Sequence, residues 1–312
     1  MLKDEVKNRN ILEIINTLNQ YLQGKENQII LTLIAFFSKG HVLIEDLPGV
    51  GKTTLALSIS KALGLKFGRI QCTSDLLPSD ITGMNIYNKL KNKFEFQKGP
   101  IFNNIVLVDE INRATQKTQS ALLEAMEEKQ VTIDGKTYKL EEPFFVIATQ
   151  NPVEFSGTFN LPQSQMDRFI ISYSIGYPDK NREIEILKHG SSRNKIENLQ
   201  QVVSNEILND IFKKIDNVYV SEKVLNYIVE VANRIRNSNY FIYGISPRAS
   251  LSLKECAKTL AYFCNRDYVN IYDVKILSPF ILSHRLILSE TFTSIDKREI
   301  ILEIINSIPV NV

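Results

Sequence analysis

The chain has 312 residues, 44% of them hydrophobic and 23% charged, with a formal net charge of +2. This is the balance of an ordinary globular protein, long enough for two domains at roughly 150 residues each, and it lacks the basic field that would make nucleic acid the main partner. No apolar run reaches the roughly 18 residues a membrane span needs, and the start, Met1-Leu-Lys-Asp-Glu-Val6, has acids where a signal peptide has its apolar centre, so a cytoplasmic location is expected.

In chain order, residues 10–38 repeat apolar positions at helical spacing with a break near Gly24, which predicts two helices. His41 to Glu45 reads as a buried strand. The loop after it carries Pro48, Gly49, Val50, Gly51, Lys52, Thr53 and Thr54, matching the phosphate-loop pattern G-x-x-x-x-G-K-[ST] except at its first position, which is Asp46. A glycine-rich turn entering a helix points backbone N–H groups at an anion. Lys52 would add a point charge near the β- and γ-phosphates of a bound nucleotide, and the Thr53 hydroxyl would ligand Mg²⁺. Asp46 is an acid beside a polyphosphate site, and the bland alternative is a glycine turn that only joins strand to helix. The helix runs from Thr53 to Gly64, with a glycine at its end.

Phe67 to Cys72 predicts a second strand, and Ser74 to Gly83 a turn-rich segment with a short helix. Asn85 to Phe96 alternates around the basic stretch Asn88-Lys-Leu-Lys-Asn-Lys93, which predicts a projecting hairpin. Ile105-Val-Leu-Val-Asp-Glu110 is a continuous apolar run, as a fully buried parallel strand is, and it ends in two carboxylates where such sheets bind ligands. Asp109 would hold the Mg²⁺ water shell and Glu110 would polarise the attacking water. Thr115 to Lys129 predicts a helix, with Glu127 and Glu128 read as its solvated end. Asp134-Gly135 predicts a tight hairpin over 130–140. Phe144 to Asn151 is a further strand; Asn151 either reaches the γ-phosphate or starts the turn at Pro152. Leu161 to Arg168 predicts a short helix and Phe169 to Ile175 a last strand.

Beyond Tyr177-Pro178-Asp179 the strands cease. Helices are predicted near 180–189, 205–215, 221–237, 248–265, 271–288 and 295–307, with a polar surface linker over 190–200. Val224, Leu225, Ile228, Val229, Ala232 and Ile235 mark the apolar face of one of them, and Ser221 is its N-cap. Strands alternating with helices in the first part imply a parallel sheet with right-handed crossovers. Cys72, Cys256 and Cys264 are spaced as reduced core residues, and neither they nor the three histidines have metal-like spacing.

Together these segments resemble the AAA+ ATPases and, among them, the MoxR family. The resemblance rests on Asp46-Leu-Pro-Gly-Val-Gly-Lys-Thr53, Asp75 to Gly83, Asp109-Glu-Ile-Asn-Arg-Ala114, Ser120 to Glu128, Ala148-Thr-Gln-Asn-Pro152, Asp167-Arg-Phe169 and Ile245 to Ser250, in order along nearly the whole chain. It implies an α/β P-loop NTPase fold, with a parallel five-stranded sheet flanked by helices over 1–178 and a smaller all-helical lid over 179–312. The hairpin within about 83–98 looks like the helix-2 insertion of one AAA+ clade. Family roles then fall on Asn151 as sensor 1, on Arg168 as the arginine finger reaching a neighbouring subunit's γ-phosphate, and on Arg248 as sensor 2. Spacing alone would make both arginines surface ion-pair residues. Arg113 lies either at a subunit edge or at the start of a helix. Gly24 takes an adenine-side place, although Leu22-Gln-Gly-Lys25 departs from the family's V-G-Q. The resemblance further implies ATP and Mg²⁺ as cofactors, a ring of identical subunits with a hexamer expected, and remodelling or cofactor insertion on a client protein. A separate partner with a von Willebrand factor A domain would fit that pattern. The rival readings are a nucleic-acid motor touching phosphates through Lys89, Lys91 and Lys93, and a nucleotide-gated scaffold with little turnover.

Overall fold

The computed structural model describes residues 2–152, 158–178, 180–189 and 196–309. Asp179, in the segment where the fold was expected to change, and residues 190–195 of the expected linker lie outside them. Helices α1 (Arg9–Asn19) and α2 (Glu26–Phe37) precede β1 (Val42–Glu45) and α3 (Lys52–Ala62). Then come β2 (Phe67–Gln71), α4 (Pro78–Thr82), β3 (Gly83–Asn88), β4 (Lys93–Lys98), β5 (Ile105–Asp109), α5 (Gln116–Glu128), β6 (Gln130–Ile133), β7 (Lys136–Lys139), β8 (Phe145–Gln150), α6 (Gln163–Met166) and β9 (Ile171–Tyr173). The rest is helical: α7 (Lys180–His189), α8 (Asn205–Asp216), α9 (Glu222–Arg236), α10 (Pro247–Phe263), α11 (Ile271–Leu282) and α12 (Lys297–Ser307).

The central sheet has five parallel strands in the order β2-β5-β8-β1-β9. Its apolar runs alternate between two cores, as a period of two requires. Val42, Ile44, Ile105 and Leu107 face one layer, and Leu43, Val106 and Val108 face the other. The first layer is continuous with the helical part. Phe212 of α8 packs on Phe36 and Phe37 of α2 at ring distances of 5.5 and 5.3 Å. The hairpins β3–β4 and β6–β7 form two small antiparallel sheets. Asp134 and Gly135 both take positive φ, the backbone a two-residue turn of this kind needs.

Three sequence expectations change. The helix expected over 271–288 stops at Leu282, and Ser283–Arg285 form a 3₁₀ turn. There His284 and Arg285 make side-chain bonds to the carbonyls of Asp167, Phe169 and Ile170. Within the expected linker, Ile196 and Leu199 are buried, and Lys61 donates to the Glu197 carbonyl, so the described part lies against α3. On α9 the buried stripe includes Tyr227 and Val231, while Leu225 and Val229 remain outside.

His41, at the entry to β1, is fully buried. Its Nδ1 accepts from the Val146 N–H at 3.0 Å, which leaves Nε2 to donate to the Met126 carbonyl at 3.1 Å. A second ring proton would face an N–H, and burial pulls the pKa down to about 4. His284 is also pulled well below the usual histidine value, by burial first and then by Arg285. Unfolded histidine takes up a proton near pH 6.5 while these two refuse it, so stability is full above that pH and falls as pH drops towards their folded values. Urea unfolding at about pH 5 should show roughly 2 kcal/mol less stability from His41 alone than at about pH 7. Equal midpoints at the two pH values would contradict this account.

Candidate active site

The turn after β1 and the end of β5 are separated in the sheet by β8, and the three strand ends border one cleft of about 280 Å³. Pro48, Gly49, Gly51, Lys52, Thr53, Thr54, Arg69, Gln71, Asp109, Glu110 and Thr149 line it. Gly49 and Gly51 have φ of 88° and 101°, a backbone that side-chain-bearing residues rarely adopt. Gly51 caps α3, so the unpaired N–H groups of that helix's first turn open onto the cleft. Lys52 Nζ donates to the Asp46 carbonyl at 2.9 Å. Burial draws the lysine below its ordinary pKa, while Asp46, Asp109 and Glu110 pull the other way.

Asp46 does not confront the cleft as its place in the motif suggests. Its carboxylate accepts from the Ile175 and Gly176 N–H groups, the latter at 3.0 Å, and so pins the chain leaving β9. Lys25 reinforces that crossing by donating to the carbonyls of Ile175 and Tyr177, each at 2.8 Å.

Asp109 accepts from Arg69 Nε at 2.8 Å. Glu110 sits in the left-handed region at φ 57°, ψ 51°, and its N–H donates to the buried Thr149 hydroxyl at 2.9 Å. For a residue with a side chain that backbone costs about 1–3 kcal/mol, and Thr149 holds it. The Glu110 carboxylate lies between Gln71 Nε2 and Arg113 Nε, each at 3.3 Å. Arg113 thus engages the second acid. Sequence reading missed Arg69, Gln71 and Thr149. The signal for the first two was their i, i+2 spacing on β2, which puts two polar groups on one face of a strand beside β5.

Other expected site residues lie apart. Gly24 and Val50 are outside the cleft lining; Gly24 has a φ of 74°, and its neighbour Leu22 approaches Gly51. Asn151 follows β8 directly but is not part of the lining either. Arg168 and Arg248 border a second recess with His41, Glu127 and Lys129. Both arginines contact Glu127, Arg168 Nη2 at 3.2 Å from Oε2 and Arg248 Nη2 on Oε1. Glu127 and Glu128 are exposed at the end of α5, as expected, and Glu127 is in addition ion-paired to two arginines.

The donor set fits a magnesium nucleotide. The cleft combines an open helix N-terminus and Lys52, which could take phosphates, with a hydroxyl and a carboxylate, Thr53 and Asp109, which could serve a metal as hard oxygen ligands. Among the described residues no group of three or more His, Cys, Asp or Glu could cage a metal alone. This suits an ion held largely by phosphate and water. Cys72, beside the cleft, is buried and its thiol is pushed up to about 12; all three cysteines are buried and unpaired. No described helix is long and apolar enough to cross a membrane.

Residues 41–171 match the family described as ATPase family associated with various cellular activities (AAA), and residues 233–304 match the AAA lid domain. "Uncharacterized protein YeaC" of Bacillus subtilis is 45% identical over 300 residues, covering 96% of this chain and 94% of that one. "Chaperone MoxR1" of Mycobacterium tuberculosis is 38% identical over 282 residues, covering 87% of this chain and 74% of that one. A crystal structure from Cytophaga hutchinsonii matches with a TM-score of 0.90 at 41% identity, over 97% of this chain and 95% of that one. The parallel sheet, the phosphate-loop cleft, the helical lid and these relatives together establish that the chain belongs to the MoxR family of AAA+ ATPases.

Proposed function

We propose that the protein hydrolyses ATP with Mg²⁺ as a ring of identical subunits, expected to be a hexamer, and couples hydrolysis to the remodelling of a client protein. The α/β unit to about residue 178 holds the nucleotide, and the lid beyond it moves. Lys52 and the first turn of α3 bind the phosphates, with Gly24 towards the adenine. Thr53 and Asp109 would hold the metal, which would supply positive charge against the phosphates. Glu110 takes the proton of the attacking water, steered by Gln71 and Arg113, and Asn151 at the end of β8 orients that water. Arg168 and Arg248 serve the γ-phosphate of the next subunit.

The observation carrying this reading is a separation. The phosphate and metal groups share one cleft, while both arginines border a different recess. The cleft's own Arg69 is paired with Asp109 and Arg113 with Glu110, and an arginine finger is worth about 10³–10⁵ in rate, so a site whose own arginines are engaged by its acids has reason to borrow one. A nucleic-acid motor is less well supported, because Lys91 and Lys93 of the β3–β4 hairpin both lie against Glu95, at 2.8 and 3.6 Å. A protein with a von Willebrand factor A domain would suit as the client's companion, and the setting is cytoplasmic.

Steady-state ATP hydrolysis at rising protein concentration tests the reading. Specific activity should climb as subunits assemble and disappear when Mg²⁺ is chelated. Turnover by a monomer that does not change with concentration would overturn the ring, and very low turnover of the assembled ring with every client would favour a scaffold.

A further inference from the structure

We propose that Glu127 is a positioning residue that holds Arg168 and Arg248 together as one two-armed receptor for the neighbouring subunit's terminal phosphate. The inference rests on the ring reading above and adds to it a residue without which the arginines do not act as a pair. One carboxylate serves both guanidiniums, with Oε2 on Arg168 and Oε1 on Arg248. The arginines come from distant parts of the chain. Arg168 follows α6, and Arg248 is in the first turn of α10.

Each charge sits at the wrong end of its helix. Arg248 is a cation at a helix N-terminus, where the dipole favours an anion, and Glu127 is an anion at the end of α5, where it favours a cation. Neither placement helps its own helix, and each offsets the other. Two guanidiniums brought together also repel, and a carboxylate between them removes that repulsion. The three charges sum to +1, with Lys39 and Lys129 bordering the recess on one side and Glu124 and Glu128 flanking Arg168 on the other.

The backbones beneath the two arginines are already fixed to each other. Asp167, just before Arg168, accepts from Arg285 Nε at 2.7 Å and from the Ser246 hydroxyl at 2.8 Å. Ser246 is the N-cap of α10, two residues ahead of Arg248, and Arg285 is only 3% exposed. What remains free is the long side chains, 29% and 45% exposed, and Glu127 is the contact they share.

The test is Glu127→Gln, which keeps shape and removes charge. The catalytic rate constant should fall about ten- to a hundredfold through misplaced arginines, with KM for ATP and the melting temperature little changed. A defect in arginines lent to a neighbour should be rescued in mixed rings. Glu127→Gln subunits mixed with Glu110→Gln subunits should exceed the summed activity of the two alone. Arg168→Ala mixed with Glu110→Gln is the parallel arm. If that arm recovers while Glu127→Gln is as active as wild type or more so, the positioning role is overturned and the ring reading stands. Recovery with Arg168→Ala but none with Glu127→Gln overturns it equally, since the defect is then confined to one subunit. Failure of the Arg168→Ala arm at every ratio removes action across the interface and Glu127's role with it.

Discussion

Lys52→Ala is expected to weaken ATP binding by about two orders of magnitude or more while leaving the fold in place. Each hydrogen bond to a charged group is worth roughly 1.5–3 kcal/mol, and the ammonium is placed to make such bonds to two phosphates. The structural cost is smaller. The side chain makes one bond within its own loop, to the Asp46 carbonyl, and an ordinary hydrogen bond contributes about 1 kcal/mol net. Its pKa is already lowered by burial, so removing it also relieves desolvation. A melting temperature shifted by only a few degrees alongside lost affinity for a fluorescent ATP analogue would bear this out. Undiminished affinity would mean the loop after β1 is not the phosphate site.

Glu110→Gln should separate binding from chemistry. Glutamine keeps the length of the side chain and an acceptor for Gln71, and the backbone is held independently by Thr149. What it loses is the charge that draws a proton from water, so turnover should fall about 10²–10⁴-fold. The ion pair to Arg113 is also lost, but Arg113 is 41% exposed there and the pair contributes little to stability. ATP affinity should be kept, and rings should accumulate loaded with ATP. Turnover close to wild type would take Glu110 out of the water-activating role. That variant also suits capture of a client, because a stalled ring holds its complex longest.

Local pattern made much of this fold legible. β1, β5 and β8 announce themselves as apolar runs that stop at polar pairs, which is how parallel strands buried on both faces read. Asp134-Gly135 and the phosphate-loop glycines are visible because their backbones admit few residue types. Relations between elements left no such trace. Periodicity reports which face is buried, not which group it meets. Glu127 looks like any acid at a helix end until α10 lays Arg248 against it from 121 positions away. Asp46 looks like a defect in a motif until the chain leaving β9 supplies two N–H groups for it. Ile196 and Leu199 are two apolar positions in a polar stretch, too few to signal that the segment packs against α3.

The central claim is that triphosphate and magnesium are gripped where β1 turns into α3, and that arginines from an adjoining subunit complete the site. The most direct measurement is an electron-microscopy structure of the Glu110→Gln protein with ATP and Mg²⁺. The account predicts a ring in which each γ-phosphate lies within hydrogen-bond reach of Lys52 in its own subunit and of Arg168 and Arg248 in the next. A γ-phosphate met by Arg168 of its own subunit, or nucleotide bound away from Lys52, would contradict it.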